Sequence, residues 1–164
     1  MVAIDRLRAL LSYDADTGAF THRALSSVKS RAKIGEVAGG PRKDGYYAVK
    51  VDGRLYPAHR LAWAYVTGEW PTQQIDHING DKMDNRFSNL RDVNTSQNKQ
   101  NTRVARIDNT SGMLGAHKCA GTQKWKAQIR VDGKLKYLGL YATPAAAHEA
   151  YVLAKRKMHP AGTL

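Results

Sequence analysis

Cysteine is almost absent: Cys119 stands alone among 164 residues, so neither an intramolecular disulfide framework nor a cysteine-rich metal knot can form. The lone thiol is expected to serve packing. His and Cys pairs at zinc-finger spacing are missing as well, which removes a structural zinc module from consideration. No stretch approaches the roughly 18 apolar residues that a membrane span requires. Charges interrupt the opening MVAIDRLRALL, so it lacks a signal peptide's apolar core. The expectation is an intracellular, cytoplasmic protein with no membrane partner.

Acidic residues are the other scarcity. The chain has 14 Asp and Glu against 26 Lys and Arg, for a net charge of +12. The excess is uneven: +4 over residues 1–70, zero over 71–101 and +8 over 102–164. A basic surface of this size suits a polyanion, nucleic acid being the commonest, although solubility alone is the competing reading. Aromatic residues, 8% of the chain, form no obvious stacking platform for single strands, which makes RNA the weaker expectation. The length allows one or two small domains.

What is present reads as small sheet-and-helix units. DRLRALLSY (5–13) has helical spacing of Leu7, Leu10 and Leu11, and DADTG (14–18) reads as a turn. Residues 26–44 are rich in Ser, Gly and basic side chains and read as a flexible basic loop, with one short strand at IGEVAG. GYYAVKV (45–51), Asp-Gly and RLYPAH (54–59) predict a hairpin, and HRLAWAYVTG (59–68) a helix ended by Gly68. The same order returns as KWKAQIRV (124–131), Asp-Gly, KLKYLGLYAT (134–143) and a helix over 144–158. Thr143 caps that helix, and Lys155, Arg156 and Lys157 sit near its carboxyl end. Strand alternation puts Trp125, Ala127, Ile129 and Val131 on one face and Lys124, Lys126, Gln128 and Arg130 on the other. The second face is expected to be open and cationic, joined by Lys118, Lys134 and Lys136, and to contact nucleic acid through phosphates or base edges.

Between the two units lies the neutral, asparagine-rich block IDHINGDKMDNRFSNLRDVNTSQNKQN (75–101). It predicts a strand at IDHI, a turn-prone loop over 79–86, a strand at NLRDV (89–93), and a helix from an Asn94 or Thr95 cap to about residue 103. Phosphodiester hydrolysis needs a base for the attacking water and a cation for the developing charge. An imidazole suits the first task near neutral pH, and carboxylate and amide oxygens suit a hard divalent ion. Asp76, His77 and Asn98 supply those groups.

The block resembles the HNH nuclease motif in the form carried by phage and homing endonucleases: Asp-His, an Asn-Gly-Asp loop, Asp-Asn-Arg, Asn-Leu-Arg and a final helical Asn. The resemblance implies a ββα-metal core that cuts DNA with one divalent ion. His77 would be the general base, Asp76 and Asn98 the metal ligands, and Asn89 the brace that orients the histidine. Asn98 stands where many members carry His, which leans the metal towards Mg²⁺ or Mn²⁺. Residues 111–158 resemble an AP2-type DNA-binding domain through Ser-Gly-x-x-Gly, the Trp125 strand, Tyr-Leu-Gly at 137–139 and Tyr141-Ala-Thr. That implies contacts to double-stranded DNA from Lys118, Lys124, Lys126, Gln128, Arg130, Lys134 and Lys136.

The expected fold is α+β: an N-terminal extension over 1–70, an HNH core over 71–105 and an AP2-like domain over 111–160. The expected activity is metal-dependent, homing-type DNA endonuclease, one strand per active site, acting in a host cytoplasm if phage-encoded. Double-strand cleavage would take a homodimer or two events. A non-catalytic DNA-binding regulator on the same scaffold is the alternative.

Overall fold

The computed structural model describes residues 1–25, 27, 31–159 and 162. The chain forms two compact units, Met1–Val93 and Asn94–Leu164. Within the expected 26–44 loop, residues 26 and 28–30 lie outside the described residues. The architecture is α+β, with small antiparallel sheets and four helices among the described residues.

The first unit opens with α1 (Ile4–Leu10), which stops short of the predicted 5–13 because β1 (Leu11–Tyr13) pairs with β2 (Phe20–His22). Burial decides this: Leu11 and Phe20, both 1% exposed, reach the core from the hairpin. The predicted IGEVAG strand shrinks to one bridge, Val37 to Thr21, because Gly35 and Gly39 take φ of +86° and +96° and break the extended run. Then come β3 (Gly40–Pro41), β4 (Tyr47–Val51) and β5 (Arg54–Pro57), a three-stranded sheet in the order β3-β4-β5. Asp52 and Gly53 both have positive φ, as a two-residue hairpin turn demands.

From β5 the chain passes directly into α2 (Ala58–Thr67), which buries Ala58, His59, Leu61, Ala62 and Ala64. Gly68, in the left-handed region, ends the helix by donating to the Ala64 carbonyl. β6 (Gln74–His77) and β7 (Leu90–Val93) then pair with Asp76 opposite Arg91 and His77 opposite Leu90. The core joins α1, the β1–β2 hairpin, the β4–β5 sheet, α2 and the β6–β7 ribbon through Leu7, Leu11, Phe20, Val49, Leu61, Ile75 and Leu90. Each such fully buried side chain contributes on the order of 2 kcal/mol.

In the second unit, α3 (Thr95–Gln100) starts on Asn94 in a complete capping box with Gln97. It ends before the predicted residue 103. β8 (Ala116–Lys118), β9 (Trp125–Val131) and β10 (Lys134–Tyr141) form an antiparallel sheet in the order β10-β9-β8, and α4 (Pro144–Met158) begins on the Thr143 cap. α4 packs on the face carrying Ala116, Trp125 and Ala127, through Ala147 and Ala150. Lys155, expected on the helix end, is 1% exposed and donates to the Thr102 carbonyl at 2.6 Å, with burial drawing its pKa down to about 8. Cys119 is half-buried and free.

Candidate active site

Neighbouring residues of an extended strand project to opposite sides, and the end of β6 uses this. Asp76 faces Arg91, whose Nε and Nη2 donate to its Oδ2 at 2.9 and 2.7 Å. His77, 4% exposed, faces α2 and the loop before β4. Its ring lies 5.1 Å from that of His59 and 6.1 Å from that of Tyr46, while Tyr46 and His59 are 5.3 Å apart. Three rings from three separate segments thus form one cluster.

Asn85 determines the form of the His77 ring. Its Nδ2 donates to the Met83 carbonyl at 2.9 Å, so its Oδ1 turns to His77 Nε2 at 3.4 Å. An amide oxygen only accepts, so Nε2 carries the proton and Nδ1 is the basic nitrogen. Burial lowers the His77 pKa, opposed by the Asn85 hydrogen bond and by Asp76, Asp84 and Asp81. An imidazole held below its ordinary 6.5 is neutral at pH 7.

The 79–86 loop is locked from within. Asn89 Oδ1 accepts from the Asn79 backbone at 2.9 Å, and its Nδ2 donates to Asn79 Oδ1 at 3.0 Å and to the Asp84 carbonyl at 2.8 Å. Asp84 takes two further bonds from Arg86, which is the first cause of its pKa falling to about 2, so it stays ionised. The loop is also docked from behind. Tyr13 donates to the Asn85 carbonyl at 2.7 Å, and a Cβ on Gly18 would stand 2.5 Å from the backbone of Asn85 and Arg86. The β1–β2 hairpin therefore fixes the asparagine that fixes His77.

Asn98 lies on α3, in the second unit, while Asp76, His77 and Asn89 lie in the first. The oxygen donors suit a hard divalent ion. No group of three or more His, Cys, Asp or Glu able to hold a metal occurs among the described residues. Such an ion would therefore keep water and phosphate oxygens in most positions. His59, Tyr46, Asn85 and Arg91 were not singled out from the sequence. The Asp84-Asn85-Arg86 tripeptide was seen without a role for its amide, and His59, on a helix 18 residues upstream, left no local sign.

The sheet of the second unit corrects one expectation. Across the Asp132-Gly133 turn, Lys134 pairs with Val131 and Lys136 with Ile129, while Lys118 pairs with Trp125. Paired residues share a face, so all three lysines lie on the Trp125 side, not the open one. The open side instead carries His117, Lys126, Gln128 and Arg130 with exposed Leu135, Tyr137 and Leu140. Lys124 is exposed just before β9, and Arg130 donates to the Gly133 carbonyl at 2.7 Å. Gln128, Arg130 and Leu135 line a groove of about 710 Å³ together with Ser96, Lys99 and Arg106.

Residues 56–100 match the family model of the HNH endonucleases. The match runs from Tyr56 on β5 through α2 and both strands of the β6–β7 ribbon to Gln100 at the end of α3, so it includes His59 as well as Asp76, His77, Asn89 and Asn98. No curated protein and no solved structure matches the chain. No helix among the described residues is long and apolar enough to cross a membrane.

Burial also sets an acid limit. His59 is pushed down to about 3, first by desolvation and then by His77 and Arg60. Its folded value lies below the unfolded 6.5, so as pH falls the unfolded chain takes up a proton that the folded chain refuses, and stability present above pH 6.5 is lost. Between pH 7 and pH 5 this one group costs the fold about 2 kcal/mol. Urea titrations of wild type and His59→Phe should diverge by that amount, with the variant less sensitive to acid; parallel pH profiles would contradict it.

Proposed function

We propose that the chain is a divalent-metal-dependent DNA endonuclease of the homing type, with His77 as general base and one strand broken per active site. The observation that carries this reading is the match of residues 56–100 to the HNH endonucleases, together with a buried histidine whose basic nitrogen is set by Asn85. Water gives a proton to His77 Nδ1 as its oxygen bonds to phosphorus. The bond to the leaving sugar oxygen breaks, and that oxygen picks up a proton from solvent. Asp76 and Asn98 are the residues that would hold Mg²⁺ or Mn²⁺, which would supply Lewis-acid stabilisation of the phosphate. Arg91 holds Asp76 and Asn89 holds the loop, so neither depends on substrate for its place. The full chain incubated with supercoiled plasmid should give nicked circles with Mg²⁺ and none in EDTA. Binding without nicking in any divalent metal would instead favour a regulator on the same scaffold.

The second unit, with its three-stranded sheet on α4 and +8 charge over 102–164, is proposed as an AP2-like DNA-holding unit. The register makes a sharper prediction than the charge. Lys126→Ala should flatten the plot of log affinity against log salt by about one unit, as one lost phosphate contact does. Lys136→Ala, on the other face, should leave the slope unchanged. Equal slopes for both variants and wild type in a salt-series titration would remove the sheet face from the interface.

A further inference from the structure

His59, in the Tyr46–His59–His77 cluster, has no task in the hydrolysis described above. It is 8% exposed, and its Nδ1 is sealed from solvent with no hydrogen-bond partner. A buried, unmet lone pair costs less than a buried, unmet N–H, and far less than a buried cation. The ring is therefore the neutral tautomer with its proton on Nε2, and the depressed pKa agrees. Nε2 is not among the sealed atoms and has no acceptor among the described residues. The result is a neutral N–H donor, packed against the rings of both Tyr46 and His77, that lacks an acceptor.

From this cluster we propose that His59 is a further catalytic residue: its Nε2–H donates to a non-bridging oxygen of the scissile phosphodiester, beside the water that His77 deprotonates. The proposal rests on the nuclease reading. A neutral donor is the right kind of group here. As attack proceeds, His77 gains a positive charge, and a second imidazolium 5.1 Å away would oppose it. A neutral N–H stabilises the charge developing on the phosphate oxygens without that penalty. The placement also follows from the fold: His59 is the second residue of α2, buried by the helix's own packing, and Arg60 ties the helix to the start of β6 through the carbonyls of Pro71 and Gln73. Donor and base are thereby held in one rigid segment.

Two variants and one spectrum test this on the full chain. His59→Phe keeps the ring packing and removes the donor; His59→Gln restores an N–H near the Nε2 position. With labelled duplex under single-turnover conditions, His59→Phe should bind DNA within about twofold of wild type in EDTA and cleave ~10²–10³-fold more slowly in Mg²⁺, with His59→Gln recovering at least tenfold. Cleavage by His59→Phe within a few-fold of wild type, while His77→Ala is inactive, overturns the proposal and leaves the nuclease standing. Wild type inactive in every divalent metal sinks the nuclease reading itself. Should His59→Phe fail to fold, long-range ¹H–¹⁵N spectra of wild type decide: the Nε2–H tautomer supports the assignment, and Nδ1–H overturns it.

Discussion

His77→Ala is expected to lower single-turnover DNA cleavage by ~10²–10⁴-fold, the range for a removed general base, while DNA affinity stays nearly unchanged. The residue sits at the end of β6 with its Nε2 against Asn85, and its Nδ1 is the group proposed to take the proton of water. Affinity should hold because the positive field that attracts DNA comes from the flanks, not from a neutral imidazole in a block of zero net charge. Cleavage timed against filter binding separates the two quantities. Activity within a few-fold of wild type would mean that His77 is not the base. A parallel fall in affinity would make it a binding residue.

Asp76→Ala is the second large effect, and it acts twice. The carboxylate is the charged anchor proposed for the metal, so half-maximal Mg²⁺ should rise more than for Asn98→Ala, which removes only an amide oxygen. The same change removes the acceptor of two short Arg91 bonds, both of which end on Asp76 Oδ2. Asp76 and Arg91 side chains are 10% and 23% exposed, so the pair is mostly but not fully desolvated. A loss of about 1–3 kcal/mol in stability follows, below the figure for a deeply buried pair. Asp76→Asn separates the two roles, since its amide oxygen still accepts from Arg91 and so keeps most of the fold while the charged ligand is gone. Metal titrations and urea melts on both variants check this. A titration identical to wild type for both Asp76→Ala and Asn98→Ala would remove both from the metal's coordination.

The parts of this architecture that the sequence disclosed are those with strong local chemistry. Asp52-Gly53 and Asp132-Gly133 announce two-residue turns because both positions need positive φ, and Thr143 and Asn94 announce helix starts because their side chains meet otherwise unpaired N–H groups. The β1–β2 hairpin was hidden because its three-residue strands carry no readable alternation, and Leu10 and Leu11 extend the helical stripe. The face of Lys134 and Lys136 is set by the turn before them. A two-residue turn after Val131 fixes Val131 opposite Lys134, and the face of every later residue follows until the bulge between Tyr137 and Gly139. The site divides the same way. Asp76 and His77 were legible as a motif, whereas His59 and Tyr46 come to His77 only through the packing of α2 and of the loop before β4 around the end of β6, which no local pattern encodes.

The most direct measurement of the central claim is cleavage of a duplex in ¹⁸O-labelled water with Mg²⁺, followed by mass analysis of the new phosphate end. Hydrolysis with His77 as base should place one ¹⁸O on that phosphate in wild type, with no product in EDTA and almost none from His77→Ala. An intact duplex under every metal condition, or cut ends without the label, would contradict it.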